Sequence, residues 1–429
     1  MAQKGIREYD AKRMMAAGLA RHLPGDMAVS YRGLTALYEP QTDPDSLAAE
    51  NPWLLQGPLV VKPDQLFGKR GKHGLILLNA TWKQAQEWIA ERMGKTVTVG
   101  KTTGELTHFL IEPFVPHDEA GEHYVAIKDG RDADTIYFSM KGGIYVEENW
   151  NMVKELSVPI MSGIAKADVE GLLSQVDEAR RPKVAAFIRA LYAFYAECGF
   201  TYLEINPFVV ADNGDVTPLD MVAKVDDTAA FDCRNLWKGL EFPKPFGVRH
   251  TKEEEYIAYL DEQSGASLKL TVLNPEGRVW AMVAGGGASV IYADTIFDLG
   301  FGAELANYGE YSGDPSTELT YNYARTMLDL MTRGEPNPAG KILLIGGGIA
   351  NFTDVAKTFT GIIQALKEYR DKLIAHRVKI YVRRGGPNYR EGLANMQRLG
   401  ESLGVPIEVY GPETHMTKIV SLALSHGQA

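Results

Sequence analysis

The chain has 429 residues, 45% of them hydrophobic, and a net charge of −10, a composition that suits a globular protein of two or three domains. The negative charge argues against a nucleic-acid-binding protein, and two cysteines, Cys198 and Cys233, form neither a disulfide nor a metal-binding pattern. No apolar run is long enough to span a membrane, and the charged N-terminus MAQKGIREYDAKRM lacks the apolar core of a signal peptide, so we expect a soluble cytoplasmic protein.

Residues 1–245 are expected to form a first domain of mixed strands and helices. The hydrophobic pattern predicts strands at Pro58–Lys62, Gly74–Leu78, Phe109–Pro113, His123–Lys128 and Thr135–Ser139, and helices at Lys83–Met93, Ala167–Val176 and Pro182–Cys198. The segment Glu241–His250, EFPKPFGVRH, contains two prolines and is typical of a linker.

The most informative stretch of this domain is a predicted β-hairpin from Thr201 to Asp227. Two runs rich in β-branched and aromatic residues, Thr201–Val210 and Val216–Val225, flank the turn sequence Asp212-Asn213-Gly214.

Three oxygen-bearing side chains lie on this hairpin. Glu204 and Asn206 are two residues apart, so they share one face of a strand. A three-residue loop would place Asn206 opposite Asp220, whereas a two-residue loop would turn Asp220 to the other face. Paired Asn and Asp oxygens suit Mg²⁺, which keeps few protein ligands; an amphipathic hairpin with a solvated polar edge explains the same pattern.

Cationic and glycine-rich segments in the first domain are candidates for phosphate binding. Lys62 ends an apolar strand, and the segment GKRGKHG places Arg70 and Gly71 among further cations and glycines. In EPFVP, the backbone could border an adenine while Glu112 or Glu122 takes ribose hydroxyls. A solvated lysine, a solvated basic turn and an ordinary strand end are the structural alternatives.

Residues 246–429 are expected to form a second domain, a doubly wound parallel sheet. Strands are predicted at Val279–Val283, Lys341–Ile345, Val378–Val382 and Pro406–Tyr410, and helices at Thr353–Tyr369, Tyr389–Leu403 and His415–Leu424.

Ligands of such a sheet bind at the carboxyl ends of the strands, where this chain has glycine-rich turns. Asn351 and Thr353 either cap the helix that follows one turn or bind a ligand. The turn Arg383–Gly386 offers Arg384, whose planar guanidinium can grip a carboxylate. These residues predict a site for a carboxylate or a phosphate.

Long segments of the chain resemble the ATP-citrate lyase family, in its N-terminal portion or separate small subunit. The resemblance runs from about Asn51 to Gly427, and the layout is more distantly similar to the β subunit of succinyl-CoA synthetase. The segments that carry it are VVKPDQLFGKRGKHG, IEPFVPH, TYLEINP, SGASLKLTVLNPEGRVWAMVAGGGASV, ELANYGEYSGDPS, IGGGIANFTDVA and VRRGGPNYREG.

The resemblance implies an ATP-grasp domain followed by a flavodoxin-like citrate-binding domain, and a role for each matching residue. It implies that Glu204 hydrogen-bonds the phosphorylated histidine of a partner, and that Asn206 and Asp220 bind Mg²⁺. The implied ATP-binding residues are Lys62, Arg70, Gly71, Pro113, Val115 and Glu122, with Glu112 nearby; the implied citrate-binding residues are Ser312, Gly313, Asn351, Thr353 and Arg384.

The implied reaction phosphorylates a histidine with ATP, passes the phosphoryl group to citrate, and forms citryl-CoA, which is cleaved to acetyl-CoA and oxaloacetate. None of the nine histidines lies in a recognisable phosphohistidine loop. We therefore expect a second subunit that carries this histidine and the CoA-binding domain.

Three other functions are compatible with these patterns to different degrees. The large subunit of citryl-CoA synthetase would use the same residues, and only the partner would differ. The set of Lys62, Glu204, Asn206 and Asp220 argues against a non-catalytic nucleotide- or citrate-binding regulatory subunit. The two-arginine RRGGPNY loop disfavours succinyl-CoA synthetase itself, because it suits a more highly charged acid.

Overall fold

The computed structural model describes residues 3–23, 31–118, 121–143, 146, 149–211 and 216–425. The chain folds into two compact units, Met1–Val248 and Arg249–Ala429. The predicted turn Asp212-Asn213-Gly214 lies outside the described residues. No helix in the described ranges combines the length and the apolar character that a membrane span requires.

The first unit contains two antiparallel sheets and a separate hairpin. Its described strands are β1 (Gln3–Ile6), β2 (Ala36–Tyr38), β3 (Leu59–Pro63), β4 (Leu77–Ala80), β5 (Thr96–Val99), β6 (Thr102–Glu105), β7 (Phe109–Pro113), β8 (His123–Lys128), β9 (Ala133–Ser139), β10 (Lys154–Pro159), β11 (Phe200–Val210), β12 (Val216–Pro218) and β13 (Met221–Asp226). The larger sheet has the order β1-β13-β11-β8-β9-β10, with β12 paired to β11, and the smaller has the order β2-β7-β3-β4.

The helices of this unit cover the sheets on their apolar faces. They are α1 (Glu8–Gly18), α2 (Pro44–Glu50), α3 (Trp82–Arg92), α4 (Val169–Leu172) and α5 (Arg181–Glu197). Phe187 and Phe194 of α5 belong to the same buried core as Leu203 and Ile205 of β11. Because side chains alternate along a strand, the polar residues between them on β11 face the other side of the sheet.

Most predicted elements of the first unit are found, and the departures have local causes. β7 and β8 have the predicted bounds, and α3 and α5 differ by one residue at each end. The predicted strand Gly74–Leu78 starts only at Leu77, because Gly71–His73 forms a 3₁₀ turn that ends at Gly74 with φ of 67°. The predicted helix Ala167–Val176 is wrong: only α4 is helical, and Gly171 within it disfavours a longer helix.

The second unit is a mainly parallel sheet. Its strands are β14 (Ser267–Val272), β15 (Val279–Ala284), β16 (Asn307–Ser312), β17 (Ile342–Gly347), β18 (Lys379–Arg383) and β19 (Ile407–Tyr410). The order is β14-β16-β15-β17-β18-β19, and β14 pairs antiparallel with β16 while the other pairs are parallel. Its helices are α6 (Lys252–Glu262), α7 (Gly286–Ile296), α8 (Thr317–Met331), α9 (Val355–Glu368), α10 (Arg370–Ala375), α11 (Tyr389–Leu403) and α12 (Lys418–Ser425).

Helices cover both faces of this sheet, as a doubly wound fold requires. Trp280 and Met282 of β15 belong to one buried core, which also contains residues of α8, α9 and α11. Ala281 and Val283, which alternate with them, belong to a second core with residues of α7 and α12. The predicted doubly wound parallel sheet is therefore confirmed, although the prediction did not include β14 and β16.

A buried asparagine joins β16 to β15 near the amino end of the strands. The Asn307 side chain is fully buried; its Oδ1 accepts a hydrogen bond from the Ala281 N–H at 2.9 Å, and its Nδ2 donates to the Ala281 carbonyl at 2.9 Å. The side-chain amide of Asn307 thus takes the place of direct backbone hydrogen bonds between β16 and β15 at this point. It fixes the position of β16.

We predict that Asn307→Leu lowers the free energy of unfolding by about 2–4 kcal/mol, because two buried backbone groups lose their hydrogen-bond partners. Urea denaturation of the full chain measures the change. The control is Asn322→Leu at a half-buried position of α8, which should remain within about 0.5 kcal/mol of the parent chain. Unchanged stability of the Asn307→Leu chain would contradict the assigned role.

Candidate functional site

The first unit contains a cavity of about 690 Å³ with walls from both of its sheets. Val60, Ile76 and Leu78 contribute apolar surface. All the residues predicted to bind nucleotide or Mg²⁺ line this cavity: Lys62, Arg70, Gly71, Glu112, Pro113, Val115, Glu122, Asn206 and Asp220. Residues far apart in the sequence are therefore brought to one space.

The hairpin at one wall has the register of an odd-numbered loop. Val210 pairs with Val216, and the Asn206 N–H donates to the Asp220 carbonyl at 2.9 Å. Asn206 therefore lies opposite Asp220, and both side chains line the cavity, as the odd loop predicts. Asn206 Oδ1 accepts a hydrogen bond from the Gly143 N–H at 2.6 Å, and Asp220 Oδ1 contacts Arg70.

The two cations that are predicted to bind phosphate are buried, and each donates hydrogen bonds to neighbouring groups of the protein. Lys62 Nζ donates to Glu8 Oε1 at 2.7 Å and to the Leu219 carbonyl at 2.5 Å. Arg70 donates to Glu8 Oε2 at 2.6 Å and to the Pro63 carbonyl at 2.9 Å. One carboxylate therefore contacts both cations, with a different oxygen for each.

Glu8 and Lys12, one turn apart on α1, are site residues that the sequence analysis did not identify. Lys12 Nζ lies 2.8 Å from Glu8 Oε1 and 2.6 Å from Glu112 Oε1. Burial acts to raise the Glu8 pKa, but Lys12, Lys62 and Arg70 outweigh it and hold that pKa well below its usual range. The Lys12 pKa is raised because Glu112 and Glu8 overcome the opposing effect of burial. Both groups are therefore charged at neutral pH.

The two glutamates considered for ribose binding have different surroundings. Both oxygens of Glu112 contact lysines, with Oε1 near Lys12 at 2.6 Å and Oε2 near Lys62 at 3.2 Å. Glu122 Oε1 instead lies 3.0 Å from His117 Nε2, and His117 Nδ1 lies 2.7 Å from the Val115 carbonyl. Glu122 is thus next to the EPFVP segment, whereas Glu112 belongs to the buried charged cluster.

Glu204 shares the strand face of Asn206 but is not among the described residues that line the cavity. Its Oε2 accepts a hydrogen bond from the Tyr202 hydroxyl at 2.5 Å. The carboxylate is partly buried two residues from Asn206, so it lies beside the cavity on the same sheet surface.

A second buried carboxylate, Asp64, fixes the start of α1. Asp64 Oδ1 and Oδ2 accept hydrogen bonds from the backbone N–H groups of Glu8 at 2.9 Å and Tyr9 at 3.0 Å. These donors are otherwise unpaired groups of a helix N-terminus, which also favours negative charge. Burial, with a contribution from nearby Glu8, raises the pKa of Asp64 to about 6.

In the second unit, the predicted citrate-binding residues lie on loops at the carboxyl edge of the sheet. Ser312 ends β16 and Gly313 follows it, Asn351 and Thr353 follow β17, and Arg384 follows β18. Backbone hydrogen bonds join two of these loops, from the Ala350 N–H to the Gly385 carbonyl at 2.9 Å and from the Val355 N–H to the Pro387 carbonyl at 3.0 Å.

The two neighbouring arginines at this edge differ in their hydrogen-bond partners. Arg383 donates to the carbonyls of Thr414 and Gly347, both at 2.9 Å, and of Pro412 at 3.1 Å, which makes it a structural residue. Arg384 donates to the Gly348 carbonyl at 2.8 Å and is only 5% exposed. Across the described part of the chain, Arg384 has no carboxylate ion-pair partner, and burial lowers its pKa.

The surroundings of Arg384 include a buried tyrosine. Tyr311 is 1% exposed, and its hydroxyl has no hydrogen-bond partner among the described residues.

The cap of α9 is Asp354, whose side chain accepts a hydrogen bond from the Lys357 N–H at 3.0 Å, so neither Asn351 nor Thr353 caps that helix. The capping alternative for these two residues is therefore wrong.

Both halves of the chain match models of known families. Residues 2–237 match the ATP-citrate synthase ATP-grasp domain, and residues 249–426 match the ATP citrate lyase citrate-binding domain.

Proteins similar to the chain carry related names. It is 50% identical over 427 residues to human ATP-citrate synthase, covering 99% of this chain but only 38% of the human protein. It is 50% identical to ATP-citrate synthase alpha chain protein 2 of Oryza sativa subsp. japonica, covering 98% of that protein. A structure of ATP citrate lyase from Methanothrix soehngenii with citrate and coenzyme A superposes with a TM-score of 0.89 at 56% identity, covering 99% of this chain and 100% of that one.

We predict that Asp64 makes stability fall as pH rises. Its raised pKa of about 6 means that the folded chain holds the proton more tightly than the unfolded chain, whose aspartates titrate near pH 4. This contribution is complete below about pH 4 and is lost as pH rises through about 6. Between pH 4 and 7 the stability advantage of the parent chain over Asp64→Asn should shrink by about 2–3 kcal/mol. Urea denaturation across this range tests it; parallel pH profiles would contradict it.

Proposed function

Because this chain belongs to the ATP-citrate synthase family, we propose that it is the subunit of an ATP-citrate lyase that binds Mg-ATP and citrate. The observation that carries the proposal is the cavity of the first unit, which gathers every residue predicted for ATP and Mg²⁺. The match of one half to an ATP-grasp model and of the other to a citrate-binding model supports the same assignment.

ATP fits the cavity with its base at the apolar wall and its phosphates at the buried cations. The backbone of Pro113 and Val115 borders the adenine, and the Glu122 carboxylate accepts hydrogen bonds from the ribose hydroxyls. Lys62 and Arg70 meet the phosphates, which need cationic partners once water is excluded. Arg70 now contacts Asp220, so nucleotide binding exchanges this ion pair for a phosphate oxygen.

The residues on the hairpin suit Mg²⁺. Asn206 and Asp220 present amide and carboxylate oxygens to one cavity, and the Asp220 side chain is 39% exposed. In the described part of the chain no cluster of three or more His, Cys, Asp or Glu residues could hold a metal. Two oxygen ligands, completed by water and phosphate, are typical of Mg²⁺. When bound there, the ion would supply charge neutralisation for the phosphates.

The proposed first step transfers the terminal phosphoryl group of ATP to a histidine of the partner subunit. The bond between this phosphorus and the oxygen of ADP breaks as a phosphorus–nitrogen bond forms. Glu204 accepts a hydrogen bond from the histidine ring and so orients it. The phosphoryl group then passes to a carboxylate of citrate, CoA displaces it to give citryl-CoA, and cleavage yields acetyl-CoA and oxaloacetate.

The partner subunit is proposed to carry the phosphorylated histidine, the CoA-binding domain and the cleavage activity. The chain spans about 38% of the length of its human relative but nearly the full length of relatives named alpha chains from Oryza sativa and Arabidopsis thaliana. These relatives support an enzyme assembled from two kinds of chain.

Citrate is proposed to bind at the carboxyl edge of the second sheet. A triply charged acid requires donors or cations for each carboxylate. Arg384 is a buried cation without a carboxylate partner in the described ranges, and it offers two parallel N–H groups to one carboxylate. Ser312, Gly313, Asn351 and Thr353 contribute hydroxyl, amide and backbone donors from the neighbouring loops.

We predict that Lys62→Met weakens Mg-ATP binding about tenfold or more, because a charge-assisted contact to phosphate is worth about 1.5–3 kcal/mol. Methionine keeps most of the apolar stem while removing the charge. Calorimetry on the full chain measures the affinity, with Lys83→Ala, an exposed lysine of α3, as the control. Unchanged ATP affinity in a folded Lys62→Met chain would remove Lys62 from the site.

We predict that Arg384→Lys weakens citrate binding about tenfold or more although the charge is kept, because lysine cannot form the two-pronged contact. Citrate titration by calorimetry measures the loss, and Mg-ATP binding should be unchanged. Arg390→Lys, on the exposed side of α11, is the matched control. Equal citrate affinity of the Arg384→Lys and parent chains would place the acid elsewhere.

A further inference from the structure

We infer that Glu8 is a positioning residue for the phosphates of the nucleotide: it sets the separation and direction of Lys62 and Arg70. This inference rests on the proposed nucleotide binding in the first unit. Glu8 is only 4% exposed and is not among the described residues that line the cavity. Its effect on the nucleotide therefore passes through the two cations.

The contacts of Glu8 divide between its oxygens in a way that fixes both cations. Oε1 lies 2.7 Å from Lys62 Nζ, and Oε2 lies 2.6 Å from an Arg70 terminal nitrogen. A planar carboxylate holds its two oxygens at a constant separation, so these two bonds tie the cationic groups to each other as well as to α1. Lys62 and Arg70 both line the cavity.

The position of Glu8 is itself fixed by Asp64, which directly follows the strand that carries Lys62. Asp64, two residues after Lys62, accepts hydrogen bonds from the backbone N–H groups of Glu8 and Tyr9. The residue directly after β3, Asp64, therefore holds the start of α1, and α1 holds Lys62 of β3 through Glu8. These reciprocal contacts leave the carboxylate of Glu8 little freedom to move away from the cations.

Lys12 offsets part of the negative charge of this arrangement. The ion pairs of the cluster join three carboxylates, on Glu8, Glu112 and Asp220, to three cations, on Lys12, Lys62 and Arg70, and Asp64 adds a further buried carboxylate beside Glu8. Without Lys12, the buried Glu8 and the partly buried Glu112 would face two cations that must also bind phosphate. Lys12, fully buried and in contact with both glutamates, leaves the positive charge of Lys62 and Arg70 directed to the cavity.

The variant Glu8→Gln separates positioning from net charge. Removing a negative charge beside the site would strengthen ATP binding if the charge of the cluster alone mattered. If Glu8 positions the cations, the same variant weakens Mg-ATP binding and leaves adenosine, which has no phosphate, nearly unaffected. We expect the ratio of Mg-ATP affinity to adenosine affinity to fall about tenfold or more.

Two further variants distinguish a loss of positioning from a general loss of stability. Glu8→Asp keeps the charge but shortens the side chain by one methylene, so it cannot reach both cations, and its affinity ratio should also fall. Phe187→Leu lowers stability in the buried core of the same unit without touching the cations, and its ratio should remain that of the parent chain. Circular dichroism of each full-length variant establishes that it is folded.

Calorimetry with Mg-ATP and with adenosine gives outcomes that are distinct. A parent chain that binds neither ligand overturns the proposed nucleotide site. A parent chain that binds both, with an unchanged or increased ratio in folded Glu8→Asp and Glu8→Gln, overturns the role of Glu8 alone. An equal fall of the ratio in Phe187→Leu would reduce the effect of Glu8 to general destabilisation.

Discussion

The carboxylate of Glu8 is buried, and it is tolerated there because three cations contact it. Lys12, Lys62 and Arg70 surround it, and the desolvation that would neutralise an isolated carboxylate is offset by their charge. The same contacts join α1 to β3 and to the turn after it. One charged cluster therefore both stabilises the packing of these elements and places charged groups at the wall of the cavity. Removing one member of such a cluster leaves uncompensated charge, which makes these residues sensitive to substitution for structural and functional reasons together.

The second unit presents the opposite electrostatic situation. Arg384 is buried beside a tyrosine hydroxyl that lacks a hydrogen-bond partner in the described residues, and no described carboxylate pairs with it. A buried cation of this kind is stabilised when an anion binds beside it, so Arg384 suits the citrate site that we propose. The neighbouring Arg383 shows the contrast, because three backbone carbonyls already satisfy it.

Much of this arrangement follows from local sequence, and the remainder depends on contacts that spacing cannot reveal. The bounds of α11 and the doubly wound sheet follow from turn chemistry and periodicity, whereas the sequence left two registers of the hairpin open and the strand pairing decides between them. Helix α1 is absent from the prediction because its Glu8 and Lys12 have the pattern of a solvated charged face. Their partners Lys62 and Glu112 lie 54 and 100 residues away along the chain, so only the folded structure brings them together. Likewise, only the fold separates the structural Arg383 from the available Arg384.

The most direct test of the central claim is a crystal structure of the full chain with Mg²⁺ and a non-hydrolysable ATP analogue. The account predicts that the phosphates contact Lys62 and Arg70, that Asp220 has left Arg70 and lies with Asn206 at the metal, and that Glu8 still bridges the two cations. A nucleotide bound outside the cavity would contradict the account. A nucleotide within it, with Arg70 still paired to Asp220 and Lys62 away from the phosphates, would contradict it equally.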